Sequence, residues 1–269
     1  MKPVIAVSDL HGQMLVLPKV KKIRHRFKDA PIVFDGDYQD SFHHHTGFSV
    51  AQEIMQWQQK DPEHVFALKG NHDEDAYESL TGKNSYWLEA GGDDVIAEAV
   101  LGATQAPGSL EEAIGMVKRD YAPLITWMGK LPTTLQIGKL VFVHAGLDLT
   151  LANPIKDTPE REKLWLREPY WYTAIYPHYA HNPLQKAIIT GHTPTSLITG
   201  VYDGQAAAET LRNRSVSPRG ILTVQYEGEY ARFFIDGGNH SGPTINTGNI
   251  GVFDADTGRL IEAIEDDNR

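Results

Sequence analysis

The chain has no cysteine among its 269 residues. That excludes a disulfide framework, a thiolate zinc site and a cysteine nucleophile, so any bound metal must take oxygen and imidazole nitrogen as ligands. Positive charge is also scarce. Its 25 lysines and arginines face 35 aspartates and glutamates, a formal net charge of −10, which opposes counterion-driven binding to nucleic acid and offers no basic face to a membrane. Neither nucleic acid nor membrane is expected as a partner. A long apolar run at the N-terminus is missing too: Met1 and Lys2 precede only a short apolar stretch, too brief for a signal-peptide core or a membrane span. The cytoplasm is the expected compartment. What is present is 41% hydrophobic content, enough to bury the core of one large domain or two smaller ones. No repeat, low-complexity tract or linker argues for two, so a single domain over residues 1–269 is expected.

Short apolar runs at residues 4–7, 32–34 and 65–68 read as buried strands, and segments 18–27 and 49–60 between them carry apolar residues at helical spacing. Ser49 and Gln52 have the spacing of a capping box. Strand, helix, strand, helix, strand predicts an α/β arrangement with parallel pairing through crossover helices, which gathers the carboxyl ends of the strands in one crevice.

The residues at those ends carry the chemistry. Asp9-Leu10-His11-Gly12 follows the first strand, Gly36-Asp37-Tyr38-Gln39-Asp40 the second, and Gly70-Asn71-His72-Asp73 the third. Two later runs, 140–143 and 187–190, end in His144-Ala145-Gly146 and Gly191-His192-Thr193. Taken singly, each piece has an ordinary reading: an Asp or Asn after a strand caps a turn, and a lone interior histidine is usually a hydrogen-bonded one. Together they would place several carboxylates and imidazoles in one crevice, which is costly to desolvate unless positive charge sits among them. Two divalent cations would supply it.

The ordered series Asp9-x-His11-Gly12, Gly36-Asp37-x-x-Asp40, Gly70-Asn71-His72-Asp73, His144-Ala145-Gly146 and Gly191-His192-Thr193 resembles the signature of calcineurin-like metallophosphoesterases, specifically the PPP phosphoprotein phosphatases in their bacterial form. The resemblance runs from residue 8 to about 238. It implies a sandwich of two mixed β-sheets flanked by helices. It also implies two divalent metal ions, with manganese the first expectation and iron or zinc fitting the same mixed ligation. Asp9 and His11 would hold one ion, Asn71, His144 and His192 the other, and Asp37 both. In the resembling enzymes a hydroxide bridging the ions attacks phosphorus. By the same resemblance His72 would protonate the leaving oxygen, with Asp40 orienting its ring. Asn71 is implied in phosphate binding as well.

Several positions depart from the pattern. Most relatives carry a phosphate-binding arginine after Asp40, whereas this chain has Ser41, followed by Phe42 and His43-His44-His45. The histidine run either supplies positive charge at mildly acidic pH or is a solvated loop. Arg167, in Leu164-Trp165-Leu166-Arg167, resembles a bacterial PPP segment whose arginine contacts phosphate; the alternative is a surface ion pair with Glu168 or Glu162. Relatives commonly have threonine at Gly237 in Asp236-Gly237-Gly238, a segment expected to close a strand near the site.

Residues 74 to about 131 read as a mostly helical insertion. Ser109 and Glu112 suggest a cap for a helix whose apolar stripe includes Ala113, Val117, Leu124 and Met128. That stripe is expected to be core; the other reading is a lid over the site. Residues 201–220 read as an irregular loop, and Asp254 to Gly258 as a hairpin turn rather than a calcium loop. The leading expectation is a metal-dependent phosphatase acting on phosphoserine or phosphothreonine in proteins, or on a small phosphorylated substrate. A diadenosine tetraphosphatase-like nucleotide pyrophosphate hydrolase and a non-catalytic phosphate-binding module are the alternatives.

Overall fold

Alternate residues of a strand face opposite ways, and the first apolar run is continuous because both of its faces are covered. In the computed structural model, β1 (Pro3–Val7) turns Val4 and Ala6 toward a core shared with a second sheet, and Ile5 and Val7 toward a core shared with helices. The structure describes residues 1–28, 30–167, 172–173, 176–179, 181–198, 201–202, 205–206, 212–214, 219–241 and 248–265.

From the N-terminus, α1 (Val16–Arg26), β2 (Ile32–Asp35), α2 (Ser49–Lys60), β3 (Val65–Leu68) and α3 (Asn71–Leu80) alternate as expected. Three more helices follow: α4 (Asp93–Ala99), α5 (Leu110–Asp120) and α6 (Ala122–Lys130). Then come β4 (Thr134–Ile137), β5 (Leu140–Val143), α7 (Pro154–Asp157), α8 (Glu160–Trp165), the paired β6 (Tyr172–Thr173) and β7 (Tyr176–Tyr179), and β8 (Ala187–Thr190). The remaining strands are β9 (Val201–Tyr202), β10 (Gln205–Ala206), β11 (Arg212–Arg214), β12 (Leu222–Val224), β13 (Arg232–Phe234), β14 (Ile250–Asp254) and β15 (Arg259–Ile264).

Two mixed sheets result. The first runs β15-β14-β1-β2-β3, with β1, β2 and β3 parallel and β14 antiparallel to β1. The second runs β11-β12-β13-β8-β5-β4, with β13, β8 and β5 parallel. Val4, Ala6, Val33 and Leu68 of one sheet and Leu140, Phe142, Ala187, Ile189 and Phe233 of the other form the layer between them. Helices α1, α2, α3, α5 and α6 cover the outer face of the first sheet over Ile5, Val7, Ile32 and Phe34. Strands buried on both faces read as unbroken apolar runs, which is why the sequence marks them so clearly.

Three local expectations need correction. Ser49 does not cap α2: buried Phe48 takes that position, and Ser49 already belongs to the helix. The stripe beginning at Ala113 is split between α5 and α6 at Tyr121, with Pro123 in the first turn of α6, where its missing N–H costs nothing. Ser109 does cap α5, its hydroxyl accepting from the Glu112 N–H at 3.2 Å. Within 201–220, the expected loop contains β9, β10 and β11; the rest of that stretch up to residue 218 lies outside the described residues. Asp254 to Gly258 forms the β14–β15 turn, with the Asp254 carboxylate accepting from Asp256 N and Thr257 Oγ1. Among the described residues, no helix is long and apolar enough to cross a membrane.

Candidate active site

β1, β2 and β3 of one sheet and β5 and β8 of the other deliver their carboxyl ends to one place, and each end carries a short polar segment. Among the described residues, five that are not glycine have a left-handed backbone: Asp9, His11, Asp37, Asp40 and His192, with φ between 42° and 65°. Such a conformation costs on the order of 1–3 kcal/mol per residue and persists where the surroundings impose it. All five are residues singled out in the sequence. Gly191 explains part of the closeness. A Cβ there would run into the Ser8 hydroxyl and the Asp9 carboxylate, so the end of β8 meets the end of β1 with no room for a methyl group.

The imidazoles are aimed by the backbone. His11 Nδ1 donates to the Asp40 carbonyl at 2.7 Å, leaving Nε2 at 3.9 Å from Asp9 and 3.7 Å from Asp37. His144 Nδ1 donates to the Asp35 carbonyl at 2.7 Å, leaving Nε2 at 3.2 Å from Asp37 Oδ2 and 3.1 Å from Asn71 Oδ1. His192 Nδ1 is 2.8 Å from the same Asn71 oxygen, and its backbone N–H donates to Asp9. Among the described residues, the Nε2 of His192 is buried without a hydrogen-bond partner. Donating one ring nitrogen to a carbonyl fixes the tautomer and presents the other as a lone pair, the arrangement of histidine metal ligands. Three groups of side chains among the described residues are close enough to hold an ion: Asp9–His11–Asp37 and Asp37–His144–His192, which share Asp37, and His11–Asp40–His72–His240 at the more open edge. Two carboxylates, three imidazoles and an amide oxygen, with no thiolate, fit a pair of hard or borderline divalent cations.

His72 stands beside this cluster. Its Nδ1 is 2.6 Å from Asp40 Oδ1 and its Nε2 is 4.0 Å from Asp37 Oδ2, with the side chain 28% exposed. Burial pushes its pKa down, but the carboxylates of Asp40 and Asp37 outweigh that and raise it to about 10. Burial likewise opposes ionisation of Asp40, yet the His72 charge and hydrogen bonds from both neighbouring histidines hold its carboxyl well below the usual range. His144 is raised to about 10, Asp37 outweighing burial. Metal ligation requires neutral imidazole, so cation binding would displace protons of this kind from the ligand set.

Other expected residues take clear places. Arg167 Nη1 donates to Thr193 Oγ1 at 3.0 Å, next to His192. No ion pair with Glu162 is found among the described residues, and Glu168 lies outside them. His43 and His45 are exposed, while His44 packs against Gln13, and burial lowers its pKa. That favours the solvated-loop reading of the run. Buried Asp236 accepts from Gly238 N at 2.6 Å and closes the segment after β13.

Four contributors lay outside the residues assigned roles from sequence. Asp73 accepts from the backbone N–H groups of Asp37 (2.8 Å), Tyr38 (3.3 Å) and Gly70 (2.8 Å). Its place three residues into a helix that begins after Gly70 was the available signal. Trp87, from the helical region, donates its indole N–H to Asp40. Asn239 Nδ2 donates to the Asp9 carbonyl at 2.9 Å. His240 packs its ring 4.8 Å from that of His11 and 5.1 Å from that of His72. Nothing in the spacing of Trp87 or His240 marks them.

A model of the calcineurin-like phosphoesterase family matches residues 2–223. The chain belongs to this family. Members use divalent metal ions to hydrolyse phosphoric esters, and this phosphoesterase presents candidate ligand clusters for such ions. Its fold is similar to that of a structure provisionally assigned as a diadenosine tetraphosphatase, at 16% identity and TM-score 0.53 over 100% of this chain and 95% of the other. It is similar also to a protein serine/threonine phosphatase from Saccharomyces cerevisiae, at 14% identity and TM-score 0.50 over 99% and 81%. A hypothetical protein from Pyrococcus horikoshii aligns at 14% identity and TM-score 0.50 over 98% and 88%. At these identities the likeness concerns the fold. No curated protein matched the chain.

Proposed function

We propose that this phosphoesterase is a two-metal phosphomonoesterase whose first substrate class is phosphoserine or phosphothreonine in proteins. Asp9, His11 and Asp37 would hold one cation, and Asp37, Asn71, His144 and His192 the second. When bound, the pair supplies positive charge for the phosphoryl oxygens and acidifies water. His72 holds a proton at Nε2 and gives it to the leaving oxygen, while Asp40 fixes the ring through Nδ1. Arg167, beside His192, orients the phosphate through its guanidinium. The observation that carries the reading is the His72–Asp40 pair at 2.6 Å, partly open to solvent at the edge of the ligand cluster.

A second reading has its own support. Phe42 is 65% exposed and packs against the His240 ring beside His72, a flat apolar surface on the leaving-group side. A nucleobase could stack there, which suits a nucleotide pyrophosphate such as diadenosine tetraphosphate. A panel of a phosphopeptide, p-nitrophenyl phosphate and diadenosine tetraphosphate with added Mn²⁺ separates the two. The first reading expects kcat/KM for the phosphopeptide to exceed that for the dinucleotide; the reverse order selects the second.

A further inference from the structure

Serine at position 41 leaves the site without the arginine that the resemblance leads one to expect there. The structure uses that serine to bring a different side chain in. Ser41 Oγ donates to the carbonyls of Asn239 (3.3 Å) and His240 (3.1 Å), and the Phe42 N–H donates to the His240 carbonyl at 3.0 Å. These bonds fasten the segment after β13 to the loop that follows Asp40. The His240 ring is thereby lodged among His11, His72 and Phe42, with centroids 4.8, 5.1 and 4.7 Å away. One of its ring nitrogens lies within 4.8 Å of donor atoms of His11, Asp40 and His72.

Those three neighbours are already engaged with one another. His72 Nδ1 lies 2.6 Å from Asp40 Oδ1 as an ion pair, His11 Nδ1 donates to the Asp40 carbonyl, and the Trp87 indole to the other Asp40 oxygen. Among the described residues, no group takes up the ring nitrogens of half-buried His240. It is therefore placed to meet something that enters beside His72, and what enters there is the phosphoryl group with its leaving oxygen. We propose that His240 is a substrate-binding residue that donates a ring N–H to a phosphoryl oxygen and so takes over the anchoring expected of an arginine at position 41. An imidazole offers one donor where guanidinium offers a fork, so the anchor is directional but single.

The inference rests on the phosphoesterase reading, and its test is arranged to be read without turnover. Metal-loaded wild type, His240→Ala and His240→Gln are compared for binding of inorganic phosphate by calorimetry, for metal content, and for hydrolysis of p-nitrophenyl phosphate. His240→Ala is expected to weaken phosphate binding and raise KM together by roughly 10-fold, the loss typical of a hydrogen bond to a charged group, with a smaller change in kcat. Metal content should match wild type. His240→Gln, which keeps an N–H donor, should recover most of both, and Ser41→Ala should weaken phosphate binding in the same direction by releasing the 239–240 segment. Unchanged phosphate affinity in a folded His240→Ala protein overturns the proposal. So does a loss of bound metal, which would make His240 a ligand, or a failure of glutamine to recover binding, which would make its role structural. Failure of wild type to hydrolyse the ester while still binding phosphate would count against the functional reading and leave the His240 comparison intact.

Discussion

His72 and Asp40 illustrate how a residue's role depends on what it is kept away from. The backbone N–H of His72 donates to Asp37 Oδ1 at 3.0 Å, but its ring turns to Asp40 and stays outside both groups that contain Asp37. Removing the ring should therefore cost chemistry and spare the ions. His72→Asn is expected to lower kcat by roughly 10²–10⁴-fold, the range for a positioned proton donor, with unchanged metal content by elemental analysis; a variant that loses metal would reassign His72 as a ligand. At this scale the sequence was informative about which side chains meet wherever a glycine or a strand end adjoined them, as at Asp9, Asp37, Asn71 and His192. It was silent on Trp87, which reaches Asp40 from 47 positions away, because such a contact depends on how a helical segment folds back and leaves no local pattern.

Between elements, the decisive piece is Asp73. It sits in the first turn of α3, and its carboxylate gathers N–H groups from the ends of both β2 and β3. Buried donors that lose their acceptor each cost on the order of 1–3 kcal/mol. Asp73→Ala is expected to destabilise the protein by about 2–4 kcal/mol, measured as a lower urea midpoint with an unchanged slope, and to weaken metal uptake, because the Asp37 backbone loses its tether. A variant as stable as wild type would show that these N–H groups find other partners. Strands β1, β2, β3, β5 and β8 were legible because covering both faces leaves no polar positions inside the run. The cap of α2 was not: Ser49 has the right chemistry, but the burial of Phe48 in the helix-facing core decides where the chain enters the helix.

In the whole molecule, Asp9, His11, Asp37 and Asn71 follow strands of one sheet, while His144 and His192 follow strands of the other. Ions held by both sets would tie the sheets together in the folded state and find no such arrangement in the unfolded chain. At free metal about a thousandfold above Kd, mass action adds ~4 kcal/mol, which corresponds to a Tm increase of about 10 °C for a chain of this size. Calorimetric scans with excess Mn²⁺ and with chelator should show that difference, and Asp37→Asn should abolish most of it. An identical Tm under both conditions would mean that the clusters hold no ion. The layered architecture was foreseen from the motif series, whereas β9, β10 and β11 were not, since runs of two or three residues carry no period. Gly191 has a consequence for anyone wishing to retune this centre. With no methyl between Ser8 and the end of β8, that glycine acts as the thinnest available shim between two rigid plates, so any thicker spacer would push the jaws apart.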